Sequence, residues 1–213
     1  MYQADFLALA LKKQQTCHCV EKLKKQLQSL FDISADEADI FLAEFRKKEL
    51  KKNEIFIAEG EVCHVVGLIE KGLMVCAYNK DGEEIIDEFG FENGFITNYY
   101  SFLTHLPSQK EIRTLEPCVA HIITRESLEK LGSQHAFIQK MNRMMNEKLF
   151  LRAHDKIKSL LLESAQERYE KMIAQRPDLA QRIPQYMLAS YLHVKPETIS
   201  RIRKKISGNP LLT

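Results

Sequence analysis

No stretch of this 213-residue sequence approaches the roughly 20 consecutive apolar residues that cross a bilayer, so no membrane contact is expected. The first residues, MYQADFLALALKK, put Asp5 where a secretory leader carries positive charge, and export is not expected either. Cysteine is sparse. Its five residues are odd in number and irregularly spaced, which makes no disulfide framework and points to a reducing cytoplasm. There is no internal repeat, no low-complexity segment, no Gly-rich loop of the kind that cradles phosphates, and no Ser-His-Asp pattern for acyl transfer. These absences argue against a secreted scaffold, a membrane protein and the common hydrolases. An enzyme is not expected.

What is present is ordinary in amount and uneven in place. Apolar residues make up 45% and charged residues 28%, enough for one large or two small domains with their own cores. The net charge of +2 conceals an asymmetry. From residue 156 onward 11 Lys and Arg stand against 5 Asp and Glu, whereas the rest of the chain holds 20 basic and 24 acidic residues. A basic C-terminal module of +6 on a body of −4 fits a polyanionic partner met at one end, and nucleic acid is the first candidate.

Residues 1–30 read as helical, with Phe6, Leu7, Leu9 and Leu11 and then Leu23, Leu27 and Leu30 in apolar positions. Ser34 and Glu37 form a capping box for a short helix running to Phe45. From about Asn53 to Ile123 the texture changes to short β-rich runs, IFIA, HVVGLIE, LMVCAY and EIIDEF, punctuated by Gly60, Gly72, Gly82 and Gly94. The KDGE at 80–83 is a hairpin turn, because Asp-Gly accepts the positive φ of a primed turn. Many short strands with regular turns predict a barrel or jelly roll. A long helix follows over Leu128–Leu161, its apolar positions Phe137, Ile138, Met141, Met144, Met145, Leu149 and Phe150 forming a stripe that self-association would cover; packing on its own roll is the alternative. Ser164 and Glu167 open a further helix that ends before Pro177. The chain is therefore expected to divide into 1–133, helices and a β-roll; 134–158, a long helix suited to self-association; and 159–213, a basic helical module.

PQYMLASYLHVKPETISRIRKKI carries the strongest signal. A helix over Gln185–Leu192, a turn at His193–Val194 and a second helix from Pro196 to Ile206 bring Leu188, Leu192, Val194, Ile199 and Ile202 into one angle, with small Ala189 at the crossing. Pro196 suits a first helical turn, where its missing N–H has no partner to lose. His193 stands where glycine is common and tolerates the left-handed conformation. The outward face of the second helix presents Glu197, Thr198, Ser200, Arg201, Lys204 and Lys205. Arg201 suits guanine O6 and N7, whereas Glu197 can accept from cytosine N4 and, four residues away, can also steady the guanidinium. Lys195, Arg203, Lys204 and Lys205 are the expected phosphate contacts.

This order of parts resembles the cyclic-AMP receptor/fumarate-nitrate regulator (Crp/Fnr) superfamily over about residues 30–206, closest in LIEKG within the roll, YYSFLT after it and PETISRIRKK at the end. The resemblance implies an α+β chain: a double-stranded β-helix of the cyclic-nucleotide-binding type, a long dimerisation helix and a C-terminal (winged) helix-turn-helix. It implies a homodimer on double-stranded, pseudo-palindromic promoter DNA, with RNA polymerase as a further partner and a small-molecule effector in the roll. In the family a glutamate and an arginine of the reading helix touch bases, matching Glu197 and Arg201. The family's nucleotide cassette aligns with Phe95 and Ile96, but its glutamate falls on Asn98 and its Arg-Ser pair near Ser108 and Gln109, leaving Lys110 as a substitute cation. Cyclic AMP is not expected, because a buried phosphate needs a cationic partner. With SGNPLLT after the second helix, most of a two-stranded C-terminal wing is expected to be absent, so any wing hairpin would have to precede the two helices.

Rival sensors lack their patterns. Cys17-His18-Cys19 invites an iron–sulfur cluster, but Cys63, Cys76 and Cys118 are scattered over predicted strands as small hydrophobes. Haem or another cofactor held by one of the seven histidines remains an alternative, with none singled out. A cupin-like metal enzyme needs histidines two apart on a strand, and His64, His105 and His121 are solitary. A helix-turn-helix used only for protein contacts sits poorly with the +6 module.

Overall fold

The computed structural model describes residues 21–207. The positions before residue 21, including Cys17-His18-Cys19, and the SGNPLLT residues after 207 lie outside the described residues. Residues 21–31 are helical (α1), and α2 follows over Ala35–Ala43. Its capping box is present, with the Ser34 hydroxyl accepting from Glu37 N–H and the Glu37 carboxylate accepting from Ser34 N–H.

Eight strands then form two four-stranded antiparallel sheets: β1 (Arg46–Leu50), β2 (Ile55–Ile57), β3 (Val65–Lys71), β4 (Met74–Lys80), β5 (Glu83–Gly90), β6 (Phe95–Ile96), β7 (Lys110–Thr114) and β8 (Cys118–Thr124). One sheet runs β1-β8-β3-β6, the other β2-β7-β4-β5. The β4–β5 hairpin turns at Asp81 (φ 56°) and Gly82 (φ 84°), as the Asp-Gly signal requires. Helix α3 (Tyr99–Thr104) interrupts the roll between β6 and β7.

The space between the sheets is filled by Leu50, Ile57, Cys63, Ile69, Met74, Cys76, Ile96, Ile112, Cys118 and Ala120, with Phe56 and Phe102 packed against them. The filling is tight at Gly67, where an added Cβ would lie 2.9 Å from both the Phe56 ring and an Ile96 methyl. Burial raises the Cys76 thiol above its ordinary pKa and lifts that of Cys118 to about 11, so both remain protonated and unreactive at neutral pH.

Each sheet has its outer face covered by helices. Against the first lie Leu27, Phe31 and Phe41 of α1 and α2, together with Leu131 of α4 (Arg125–Gln134) and Phe137, Ile138 and Met141 of α5 (Ala136–Leu162). The single long helix expected over Leu128–Leu161 is thus two helices, broken at His135, whose extended backbone (φ −136°, ψ 116°) lets α4 pack before α5 sets out. The stripe divides as well. Phe137, Ile138 and Met141 are consumed by the chain's own core, whereas Phe150 (70% exposed), Ile157 (59%) and Leu161 (76%) in the second half of α5 have no apolar cover.

The second sheet is covered by the C-terminal module of α6 (Ala165–Gln175), α7 (Leu179–Arg182), α8 (Gln185–Tyr191) and α9 (Pro196–Ser207). Ser164 and Glu167 cap α6 reciprocally. Leu179, Ile183, Met187 and Leu188 pack on Val75, Ala77, Ile86 and Phe89 of β4 and β5. The Ser190 hydroxyl also accepts from Ile86 N–H at 3.0 Å and donates to the Glu84 carbonyl at 3.2 Å, pairing with the edge strand β5. No strand occurs among the described residues after β8, so no wing precedes α8 and α9; the short α7 occupies that stretch.

Candidate nucleic-acid interface and sensor roll

Helices α8 and α9 meet in an apolar angle formed by Ala189, Leu192, Ile199 and Ile202, with Val194 and Ile206 at its margin and Tyr169 of α6 behind it. The turn between them passes through His193 at φ 54°, the left-handed position foreseen for it. Because Ile199 and Ile202 face inward, Glu197, Arg201, Lys204 and Lys205 stand exposed on the opposite face, and Lys195 is exposed just ahead of the helix. Thr198 and Ser200 are half-buried at its edge. Lys205 donates to Gln166 Oε1 at 2.9 Å, so its ammonium is tethered to α6. No ion pair joins Glu197 to Arg201 among the described residues: both side chains point outward independently rather than as a pre-formed couple.

Arg203 requires a correction. Instead of offering itself to phosphate, it turns back into the protein, donating from Nε to the Tyr169 hydroxyl (3.0 Å) and from Nη2 to the Ala180 carbonyl (3.2 Å). It is a strut that fixes α9 on α6 and α7. A second such residue went unnoticed in the sequence. Gln185 Nε2 donates to Ser200 Oγ (2.7 Å) and to the Pro196 carbonyl (2.8 Å), tying the start of α8 to the first turn of α9. Only the fold brings residues 15 apart into that contact.

The five residues aligned with the nucleotide cassette do not form one pocket. Phe95 faces the helical side of its sheet, its ring centroid 6.0 Å from that of Phe31. Gln109 is exposed. Asn98 and Ser108 do meet, Asn98 Nδ2 donating to Ser108 Oγ at 2.5 Å while Asn98 Oδ1 accepts from Ser101 N–H and caps α3. Lys110 shares the inward parity of Ile112, but its ammonium lies 2.6 Å from Asp87 Oδ2. Arg125, only 8% exposed, also goes unflagged by the sequence: its Nη2 donates to the Cys63 and Phe102 carbonyls and its guanidinium stacks on the Phe102 ring, clamping the α3 loop. Both cations near the cassette are thus already engaged.

Roll, long helix and C-terminal module converge at the end of β5. Asp87 bridges Lys110 of β7 and Lys156 of α5 (2.7 Å), Arg152 pairs with Glu88, and Lys156 lies over the Tyr191 ring of α8. Beside them Arg182 holds Glu92 and Glu116 of the roll (2.7 Å each) together with Asp178, and Arg176 stacks on Phe91. Burial favours the neutral carboxyl of Asp87, but Lys110 and Lys156 outweigh it and hold its pKa below the ordinary value; Glu92 is held down likewise by Arg182. A depressed carboxyl contributes stability that is complete above its unfolded pKa of about 4 and disappears as pH falls through the folded value. Denaturant midpoints measured from pH 7 to pH 3 are therefore expected to stay flat to about pH 5 and then fall. In Asp87→Asn the midpoint should be lower at pH 7 and the acid decline shallower.

Residues 47–135 match the family model described as the cyclic nucleotide-binding domain. No curated protein matches by sequence. Among solved structures, FixK2 from Bradyrhizobium japonicum superposes with a TM-score of 0.67 at 18% identity, over 77% of this chain and 85% of that one. The regulator CLP of Xanthomonas campestris, described as responsive to c-di-GMP, gives 0.60 at 17% identity over 82% and 92%. A Crp/Fnr-family regulator from Eubacterium rectale gives 0.59 at 16% identity over 83% and 84%. Roll, long helix and terminal helices thus share one fold with Crp/Fnr regulators. Among the described residues no helix is long and apolar enough to cross a membrane, and no group of three or more His, Cys, Asp or Glu could hold a metal ion.

Proposed function

We propose that this chain, built on the Crp/Fnr fold, is a transcription regulator that binds promoter DNA as a homodimer through α9 and engages RNA polymerase there. The observation that carries this is the division of α9: its apolar side is sealed by α6 and α8, while Glu197, Arg201 and Lys204 stand exposed together on the other side. Arg201 and Glu197 supply base contacts from a major-groove helix, with Lys195, Lys204 and Lys205 on the phosphates and Thr198 and Ser200 at the margin. The second half of α5 joins the two protomers. The roll does not fit a cyclic nucleotide, because its interior is filled, Asn98 and Ser108 bond to each other, and Lys110 serves Asp87.

Sites selected from random duplexes provide the test. Arg201→Ala should cost about 1–3 kcal/mol on the selected site and relax base choice at one position, whereas Lys204→Ala should weaken selected and random duplexes alike and reduce the salt slope by about 0.9. Equal losses from both variants on both kinds of duplex would remove base reading from Arg201.

A further inference from the structure

Gln185 stands at the first position of α8 and reaches across to the first turn of α9. Its Nε2 lies 2.8 Å from the Pro196 carbonyl and 2.7 Å from Ser200 Oγ. Together these contacts fix the direction of both hydrogen bonds. A carbonyl oxygen only accepts, so the amide NH2 and not the amide oxygen faces α9. That group has two hydrogens and no acceptor: one goes to Pro196 and the other to Ser200. The serine oxygen therefore accepts, and its own hydrogen is left over.

A helical serine commonly returns that hydrogen to the carbonyl four residues back. Here the carbonyl belongs to Pro196 and already receives Gln185 in addition to the helix's own Ser200 N–H. No acceptor for the Ser200 hydroxyl hydrogen occurs among the described residues. The turn of the helix sets where it can go. At about 100° per residue, Ser200 lies about 60° from Glu197 and about 40° from Lys204 around α9, on the side away from buried Ile199. Gln185 occupies its inner flank, so the free hydrogen faces the surface from which Glu197 and Arg201 project. To accept from a base, the hydroxyl would have to turn that hydrogen inward, where every acceptor is taken, and leave it unbonded.

We infer that Gln185 is a positioning residue for base choice: by holding both the Pro196 carbonyl and the Ser200 oxygen, it makes Ser200 an outward donor at one base position of the site. This rests on α9 reading DNA. Guanine, adenine and thymine each offer an acceptor in the major groove, whereas cytosine offers only its N4 donor, so cytosine is refused there.

The test is selection of bound sites from random duplexes by the full-length protein, with anisotropy on the winning duplex and on its single-base alternatives. Wild type should disfavour cytosine by about tenfold at one position other than that set by Arg201. Ser200→Ala should abolish that preference and no other. Gln185→Leu fills the same space but donates nothing; it frees the Pro196 carbonyl for the serine hydrogen and should reduce the preference to about twofold. Gln185→Glu presents only acceptors, so the serine hydrogen turns inward and its lone pairs face the base. Cytosine should then become favoured at that position, over a general loss of affinity from the added negative charge. Gln185→Leu added to Ser200→Ala should change nothing further there. Gln185 variants with the wild-type preference overturn the assignment and leave Arg201 in place. An equal loss at every position also overturns it, since Gln185 would then only brace the helix. Should the Gln185 variants fail to fold, Ser200→Ala still decides, because an unchanged preference in that variant removes the donor. Wild-type protein that selects no sequence overturns the reading helix and this inference together.

Discussion

Aspartate placed at both Ile157 and Leu161 is expected to leave the protein folded but monomeric, and to weaken binding to a duplex with two half-sites by about 10²–10⁴-fold. Both side chains lie on the uncovered half of α5, four residues apart, and contact nothing in their own core. Together with Phe150 they form an apolar face over the last three turns of a helix of 27 residues. In a dimer that face is buried against its copy, and two carboxylates from each protomer would be desolvated without partners. In the monomer they remain in water at little cost. The loss on DNA follows from avidity: once one helix has docked, the second meets its half-site at millimolar effective concentration, and a monomer forfeits that advantage. Sedimentation velocity and anisotropy on one-half-site and two-half-site duplexes separate the effects, since affinity for the single half-site should barely change. A variant that remains dimeric would place the protomer contact elsewhere.

The second large effect is expected from Leu188→Ala. Leu188 is fully buried among Val75, Ile86 and Phe89 of the roll and Met187 of its own helix, so truncation leaves a cavity at the junction of the two halves. A loss of about 2–5 kcal/mol in unfolding free energy is expected. In the wild type this apolar contact and the ion cluster around Arg182 should make roll and C-terminal module melt in one transition. In the variant the module should come away first, giving two transitions by calorimetry and by denaturant. A single transition at an unchanged midpoint would show that the contact contributes little.

Much of this architecture could be read in the sequence because it is local. The two capping boxes, the Asp-Gly turn and the α8–α9 spacing each lie within a few residues, where backbone geometry dictates residue type. Strand β1 left no signal, because four of the five residues in RKKEL are exposed charges on a sheet edge, and only pairing with β8 makes them a strand. The break at His135 was hidden by an apolar period that runs through it. Arg203 looked like any other cation in a basic run. Its inward turn depends on the Tyr169 hydroxyl 34 positions earlier, a contact that exists only once α6 has folded against α9. Glu197 and Arg201, by contrast, were legible because the positions that must be apolar define, by subtraction, those that must face out. The cassette residues misled through alignment: Phe95 keeps its place in the strand but faces the helices, and Asn98 and Ser108 satisfy each other.

The hydroxyl of Ser190 has a consequence for how the molecule survives in a crowded solution. It occupies main-chain groups of β5 that would otherwise line an open border of the sheet, and α8 shields the greasy surface behind them. Swinging the module away would bare both at once, a template onto which a neighbouring polypeptide can add as an extra strand. Docking therefore doubles as a sheath against fibre-like polymerisation, and substitutions that loosen it should reveal themselves first as turbidity on storage.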